Sequence, residues 1–404
     1  MRSVDEHQRV VSGMIHARPA VTVALTEAQG LVLAEDVVAQ LALPVFDNSA
    51  MDGYAVRAED TSGATPEHPV VLPVAEDIPA GRTDQLTLQP GTAHRIMTGA
   101  PLPAGATAIV PVEDTDGGMD VVAIRQPREP GKHIRRAGED VAPGTTVLRK
   151  GQVVTPAVLG LAAALGLAGL IVIPRQRVLV ISTGSELVQP GTPLQPGQIY
   201  ESNSIMLAGA VREAGADMIA VATAEDDVAQ FSSILDRYAA DSDLIITSGG
   251  VSAGAYEVVK DAFGRQGVQG DQGVEFVKVA MQPGMPQGIG RVAGTTIVTL
   301  PGNPVSALVS FEVFIRPVLR AAMGLPDPER PHRTAVLAES LTSPRGKRQF
   351  RRAILDADTG SVTSYGPPAS HHLRWLASAN GLLDIPENVV EVSAGTQLQV
   401  WDLS

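Results

Sequence analysis

Twelve consecutive residues, Asp243–Gly254 (DLIITSGGVSAG), constrain this chain more than any others. Leu244–Thr247 is an apolar run with two isoleucines, long enough for a buried strand and too short for a helix. Ser248, Gly249 and Gly250 follow at once, and an apolar, helix-compatible segment, Tyr256–Phe263, comes soon after. A strand that ends in small residues before a helix leaves backbone N–H groups free and lets a ligand approach them, with the helix dipole favouring an anion. An isolated Gly-Gly pair reads more simply as an ordinary strand-to-helix turn. Two further stretches of the same kind shift that balance. RVLVISTGSE (177–186) carries Ser182, Thr183 and Gly184 behind an apolar run, and TIVTLPGNPVS (296–306) ends in the turn Pro301, Gly302, Asn303, Pro304. Three such strands place three loops at one sheet edge, where open parallel sheets bind their ligands.

Strands and helices alternate around these loops. Strands are expected at Val178–Ser182, Met218–Thr223, Leu244–Thr247, Glu275–Val279 and Ile297–Leu300. Helices are expected at Ser204–Ala214, Val228–Ala239, Tyr256–Phe263 and Val305–Ala322. The pattern predicts a doubly wound α/β domain of about 150 residues, closed by the Pro-rich linker Leu325–His332.

At 404 residues the chain is long enough for two to four domains. Val4–Ala17 reads as an amphipathic helix, and Thr26 as the N-cap of a short helix before an apolar strand. Leu43–Arg57 (LPVFDNSAMDGYAVR) is a polar, turn-rich loop between apolar ends, in which Asp47 and Asp52 serve either as Asx-turn formers or as loop carboxylates for chemistry. From Val70 to Val141 short strands alternate with Gly/Pro turns, the mark of a small all-β domain. Pro156–Leu165 reads as a buried helix and Gly169–Ile173 as a strand; their apolar stretch is short for a membrane span. The segment after the linker reads as a second small β domain, with a basic cluster of Arg345, Lys347, Arg348, Arg351 and Arg352.

The formal net charge of -13 makes nucleic acid an unexpected partner for the whole surface. The absence of cysteine excludes thiol catalysis, thiolate metal sites and disulfides, and it fits a reducing cytoplasm. MRSVDEHQRV contains no apolar segment of the signal-peptide kind.

Six motifs in order, DNSAMDGYA (47–55), IMTGAPLP (96–103), RRAGEDV (135–141), ISTGSEL (181–187), TSGGVSAG (247–254) and LPGNPVSAL (300–308), closely resemble those of the molybdopterin molybdenumtransferases, the family of MoeA and the gephyrin E-domain. The resemblance implies a multidomain α/β and β chain. A helical linker and dimerisation region (1–42 with 137–173) carries an inserted β domain (43–136). A MogA-like doubly wound α/β domain (174–327) and a C-terminal β-barrel (328–404) follow. It implies that the protein inserts molybdenum from molybdate into adenylyl-molybdopterin with release of AMP, assisted by Mg²⁺. It further implies a cytoplasmic homodimer that meets a MogA-like protein and acceptor molybdoenzymes, with no nucleic acid or membrane partner.

Carried over residue by residue, the resemblance assigns Asp52, Thr98, Asp140, Glu186 and Lys278 to catalysis, with Asp52, Asp140 and Glu186 as metal ligands. It assigns Ser182, Thr183, Gly184, Ser248, Gly249, Gly250, Ser252, Pro301, Gly302, Asn303 and Pro304 to the pterin nucleotide. Such chemistry needs hard oxygen ligands and neutralised phosphate charge, not a protein thiol. Two departures stand out. Many family members read Lys-Pro-Gly-Lys-Pro where this chain reads Gln282-Pro283-Gly284-Met285-Pro286, and Ala255 replaces an acidic residue, with Glu257 two residues on. A MogA- or CinA-like nucleotide-handling enzyme and a non-catalytic pterin-binding scaffold therefore stay open as alternatives.

Overall fold

The computed structural model describes residues 1–250, 258–264 and 273–404. The chain forms two units, residues 1–21 with 172–404 and residues 22–171.

The first unit is built on a six-stranded sheet. Its elements in chain order are α1 (Val4–Ser12), β1 (Arg177–Thr183), α2 (Asn203–Glu213), β2 (Asp217–Ala224), α3 (Val228–Tyr238), β3 (Leu244–Ser248), α4 (Val258–Gly264), β4 (Gly273–Lys278), β5 (Pro286–Val292) and β6 (Thr295–Leu300). The spatial order is β2-β1-β3-β6-β5-β4. The first four strands run parallel, and β5 runs antiparallel to both of its neighbours. Side chains alternate between the two faces. Val178, Val180, Ile246 and Val298 pack with α1 and α2, while Leu179, Ile181, Ile245 and Ile297 pack with Phe231 and Leu235 of α3. Burial on both faces explains why these strands are near-continuous apolar runs in the sequence.

β5 is not legible in the sequence because Gly288 and Gly290 dilute its strand pattern. Both glycines are demanded by close approach. A Cβ on Gly288 would lie 1.9 Å from Thr299 Oγ1, and one on Gly290 1.9 Å from the Gly273 carbonyl oxygen.

Two helices were expected to be longer or simpler than they are. The first stops at Ser12 with Gly13 as its C-cap. The helix expected over Val305–Ala322 is broken into α5 (Pro304–Ser310), a π-turn over Phe311–Ile315, and α6 (Arg316–Ala322). Pro317 has no N–H to give to the carbonyl four residues back, and its ring crowds that turn. The carbonyl in question, Val313 O, accepts instead from Gln8 Nε2 at 3.2 Å.

The unit ends in a closed five-stranded barrel of β7 (His332–Leu337), β8 (Arg348–Asp356), β9 (Ser361–Ser364), β10 (Gly381–Ile385) and β11 (Gln397–Asp402). Pairing runs β8-β9-β7-β11-β10, and β10 returns to β8. The basic cluster is largely consumed by this architecture. Arg348 pairs with Asp384 and Asp5, Arg351 donates to Ser364 Oγ, and Arg352, 3% exposed, donates to the His372 and Pro367 carbonyls.

In the second unit, a five-stranded sheet runs 108–111, 53–56, 93–96, 70–78 and 121–124 across its width. Gly53 lets two of these strands meet: a Cβ there would lie 2.0 Å from the Val110 carbonyl oxygen. Thr155 caps the helix Pro156–Ala164 by accepting from Val158 N, and Gly169–Ile173 is a strand. Thr26 caps nothing. It sits inside a single 3₁₀ turn, Leu25–Glu27, preceded by Ala24.

Candidate functional site

The register puts Ser182 beside Ser248, and Ser248 beside Leu300, so β1, β3 and β6 end in one row. Their loops open on a cavity of about 970 Å³. Ser182–Gly184, Glu186, Ser248–Gly250 and Pro301–Pro304 all line it, together with Ser370 and His371 from the segment before the barrel's fourth strand.

The small residues are there for backbone reasons. Gly249 has φ +98°, and a Cβ on it would lie 2.7 Å from the Thr183 carbonyl oxygen. Gly250 has φ +68°, and its Cβ would lie 2.7 Å from Val259 Cγ2. Left-handed backbone and tight approach together leave only glycine. The serine hydroxyls, by contrast, are committed to the protein. Ser182 Oγ donates to Glu201 Oε1 at 2.7 Å, and Ser248 Oγ accepts from Asn203 Nδ2 at 2.8 Å. The loop after β1 is held to the loop after β2 by a pair of bonds. Ser185 N donates to Asp226 Oδ2 at 3.2 Å, and Asp226 N donates to Ser185 Oγ at 3.0 Å. α4 is described from Val258 onward, and Ser252, Ala255 and Glu257 lie outside the described residues, so the helix-start part of the expected anion site is not covered by the description.

Lys278 is not among the lining residues. It is exposed at the end of β4, opposite Pro286. The described lining contains Glu186, Glu201 and Asp226 and no lysine or arginine. At the Gln-Pro-Gly-Met-Pro turn, Gln282 Oε1 accepts from Gln349 Nε2 at 2.8 Å, and Gln287 Nε2 donates to the Gly284 carbonyl at 2.6 Å and to Ser310 Oγ at 2.7 Å. Neutral amides hold that turn in shape. Glu201, Asn203, Asp226, Ser370 and His371 escaped the sequence reading. The run Glu201-Ser-Asn-Ser204 at a helix start was the available signal for the first two.

The three N-terminal motifs meet in the second unit. Asn48–Ser49 pairs with Ile134–Arg135, Gly99 N donates to the Ser49 carbonyl at 2.8 Å, and Leu43 N to the Val141 carbonyl at 2.8 Å. Asp52 Oδ1 accepts from Thr98 N at 2.6 Å and from Thr98 Oγ1 at 2.7 Å, which holds the carboxyl below the ordinary aspartate range. Asp47 is lowered in the same way, first by Ala137 N and then by Arg136. Asp140 N donates to the Leu43 carbonyl at 3.0 Å, and its carboxylate has no partner among the described residues. The predicted site residues thus fall in two units, Asp52, Thr98 and Asp140 in one and the three strand-end loops with Glu186 and Lys278 in the other. Among the described residues no group of three carboxylates or imidazoles is placed to hold a metal ion.

Comparison with known proteins covers the whole chain. Residues 2–166 match the MoeA N-terminal region, 179–321 a probable molybdopterin binding domain, and 334–403 the MoeA C-terminal region. The chain is 82% identical over 405 residues to molybdopterin molybdenumtransferase 2 of Mycobacterium tuberculosis, covering 100% of both. It is 37% identical to molybdopterin molybdenumtransferase 1 of the same organism, over 99% of this chain and 98% of that one. The crystal structure of a molybdopterin biosynthesis MoeA protein from Pyrococcus horikosii superposes with a TM-score of 0.79 at 29% identity, covering 100% of this chain and 99% of that one. With full-length identity at this level and the three family regions in order, the chain belongs to the molybdopterin molybdenumtransferase (MoeA) family.

Proposed function

We propose that the protein inserts molybdenum from molybdate into adenylyl-molybdopterin and releases AMP. The observation that carries this reading is the cavity of about 970 Å³ at the ends of β1, β3 and β6, lined by the backbone-rich turns Ser182–Gly184, Ser248–Gly250 and Pro301–Pro304. The names of the close relatives and the six ordered motifs support it.

In this reading Ser182–Gly184, Ser248–Gly250, Ser252 and Pro301–Pro304 bind and orient the pterin nucleotide. Asp52, Thr98, Asp140, Glu186 and Lys278 serve the chemical step. Asp52 suits a divalent cation: it is ionised, exposed and fixed through Oδ1, leaving Oδ2 with no partner among the described residues. Asp140 and Glu186 add hard oxygen donors of the kind Mg²⁺ prefers. Asp52 and Asp140 of one unit and Glu186 of the other are the carboxylates this reading offers to Mg²⁺, which would neutralise charge on the phosphoanhydride; among the described residues they form no common group within one chain. Thr98 holds the Asp52 carboxylate ionised and in one orientation.

The same reading takes the protein as a cytoplasmic homodimer of four-part subunits, with the linker region (1–42 and 137–173) at the dimer contact. A MogA-like protein and acceptor molybdoenzymes are its partners. A second reading, a pterin-binding scaffold without catalysis, draws on the neutral Gln282-to-Pro286 turn and the lack of lysine and arginine in the described lining. Molybdate-dependent release of AMP from adenylyl-molybdopterin by the purified full chain decides between them. Release that needs both molybdate and Mg²⁺ is expected. Tight pterin-nucleotide binding with no AMP release overturns the enzymatic reading.

A further inference from the structure

The chain turns into α2 at Ser202, which makes no side-chain cap of its own. Glu201 does the capping instead. Its Oε1 accepts from Ser204 N at 2.8 Å, and its Oε2 accepts the Ser204 hydroxyl. The same Oε1 accepts from Ser182 Oγ at the end of β1. Glu201 is only 4% exposed, and these bonds are what make a carboxylate tolerable there. Two residues on, Asn203 Nδ2 uses both of its hydrogens. One goes to Ser248 Oγ at the end of β3 at 2.8 Å, the other to the Gly302 carbonyl beyond β6 at 2.6 Å. A single turn of chain therefore touches the ends of all three strands that open on the cavity.

The ladders joining β1, β3 and β6 finish at the Ser182, Ser248 and Leu300 row. Past that row Gly249 N donates to the Leu300 carbonyl at 3.1 Å and Thr183 Oγ1 to the Ser248 carbonyl at 3.5 Å, and the Glu201 and Asn203 bonds add to these two. Gly302 lies against Gly249 closely enough that a Cβ on it would be 3.5 Å from Gly249 Cα. Asn203 Oδ1 is buried and has no partner among the described residues. Leaving an acceptor buried and unpaired is unfavourable, so the two donor bonds are what this side chain provides.

We propose that Asn203 is a positioning residue, which sets the spacing of the Ser248–Gly250 and Pro301–Pro304 loops, while Glu201 does the same for the Ser182 loop. This rests on the reading that the cavity holds the pterin nucleotide. Asn203 acts on the binding loops, so its loss weakens ligand binding and spares the rate at saturation. The net worth of the two lost hydrogen bonds together accounts for a binding loss of about tenfold or more.

The test uses the full-length chain with AMP as the binding probe and adenylyl-molybdopterin as substrate. Asn203→Ala removes both donors. Asn203→Leu keeps the branched shape without the donors and without adding charge beside the anion, and it covers the case in which alanine disturbs folding. Both are expected to raise the AMP Kd and the substrate KM by about tenfold or more, with kcat within about threefold of wild type. Because Asn203 works through Ser248, the double variant Asn203→Ala/Ser248→Ala should weaken binding by less than the product of the two single effects. An unchanged Kd and KM in both Asn203 variants, or a fall in kcat alone, overturns the proposal. Gly249→Asp separates the two levels. If it abolishes AMP binding while the Asn203 variants bind normally, only the positioning role fails. If it binds AMP normally, the assignment of the cavity fails, and the positioning role with it.

Discussion

Asp52 takes two hydrogen bonds from one residue, both on Oδ1: from Thr98 N at 2.6 Å and from Thr98 Oγ1 at 2.7 Å. The second carboxylate oxygen has no partner among the described residues, so the pair orients a charge without neutralising it. Asp52→Asn keeps an Oδ1 acceptor for both donors and removes the charge. AMP release should fall by roughly a hundredfold or more, while pterin-nucleotide affinity and melting temperature stay near wild type. Near-normal AMP release would reduce Asp52 to a turn residue, since asparagine closes the same Asx-turn.

The Thr98 bonds also set a pH dependence. They depress the Asp52 pKa, so the ionised form is present above that value and is lost only as pH falls through it. Thr98→Val removes the larger of the two contributions, the hydroxyl, and the pKa should climb back toward the ordinary aspartate range. The acid limb of the AMP-release profile should therefore move to higher pH in Thr98→Val. An unmoved limb means that another group controls it.

His7 makes a separate prediction about stability. Its ring is fully buried edge-on to Phe314, and burial first, then Arg2, lowers its pKa from 6.5 to about 4. The unfolded chain binds a proton near pH 6.5 that the folded chain refuses until about pH 4, so stability is lost as pH falls through that window. Replacement by a residue that does not titrate, His7→Leu, should flatten that loss. Wild type should give up about 2 kcal/mol more than His7→Leu between pH 7 and pH 5, measured by denaturant unfolding. Parallel pH profiles for the two chains would show that His7 does not titrate in this way.

Gln8 and Pro317 form a compensated pair, in which the carbonyl freed by the proline is taken by the amide. Gln8→Leu leaves the Val313 carbonyl without that donor, at a cost of about 1–2 kcal/mol. Unfolding of Gln8→Leu in denaturant should shift by that amount with an unchanged slope. If Gln8→Leu unfolds like wild type, Val313 O has found another donor.

Gly249→Ala and Gly302→Ala should part company. At Gly249 the left-handed backbone and the 2.7 Å approach to Thr183 O make a methyl group strained, and a loss of about 1–3 kcal/mol is expected. At Gly302 the nearest atom to an added Cβ is Gly249 Cα at 3.5 Å, an ordinary contact, so the chain should keep its melting temperature. Equal destabilisation by the two would contradict the geometry.

Much of the α/β unit was legible because its signals are local. β1, β3 and β6 are apolar runs ended by small residues, and Pro304 opens the helix that follows β6. These features depend on residues within a few positions of one another. β5 was not legible, since Gly288 and Gly290 read as breakers until Thr299 and Gly273 are seen pressing against them. The break in the Val305–Ala322 helix was written in Pro317, but its repair by Gln8 lies some three hundred residues away.

The sequence by itself determined the strand-end loops and the residue types offered to a ligand, because short-range pattern suffices for these, and its six ordered motifs carried the resemblance to the family. Only the tertiary structure decided which side chains remain free to act. It tied Ser182 to Glu201 and Ser248 to Asn203, turned Arg348, Arg351 and Arg352 onto the protein, and set Lys278 outside the cavity lining. A hydrogen bond depends on partners brought together by the sheet and helix packing. Spacing along the chain does not encode that proximity.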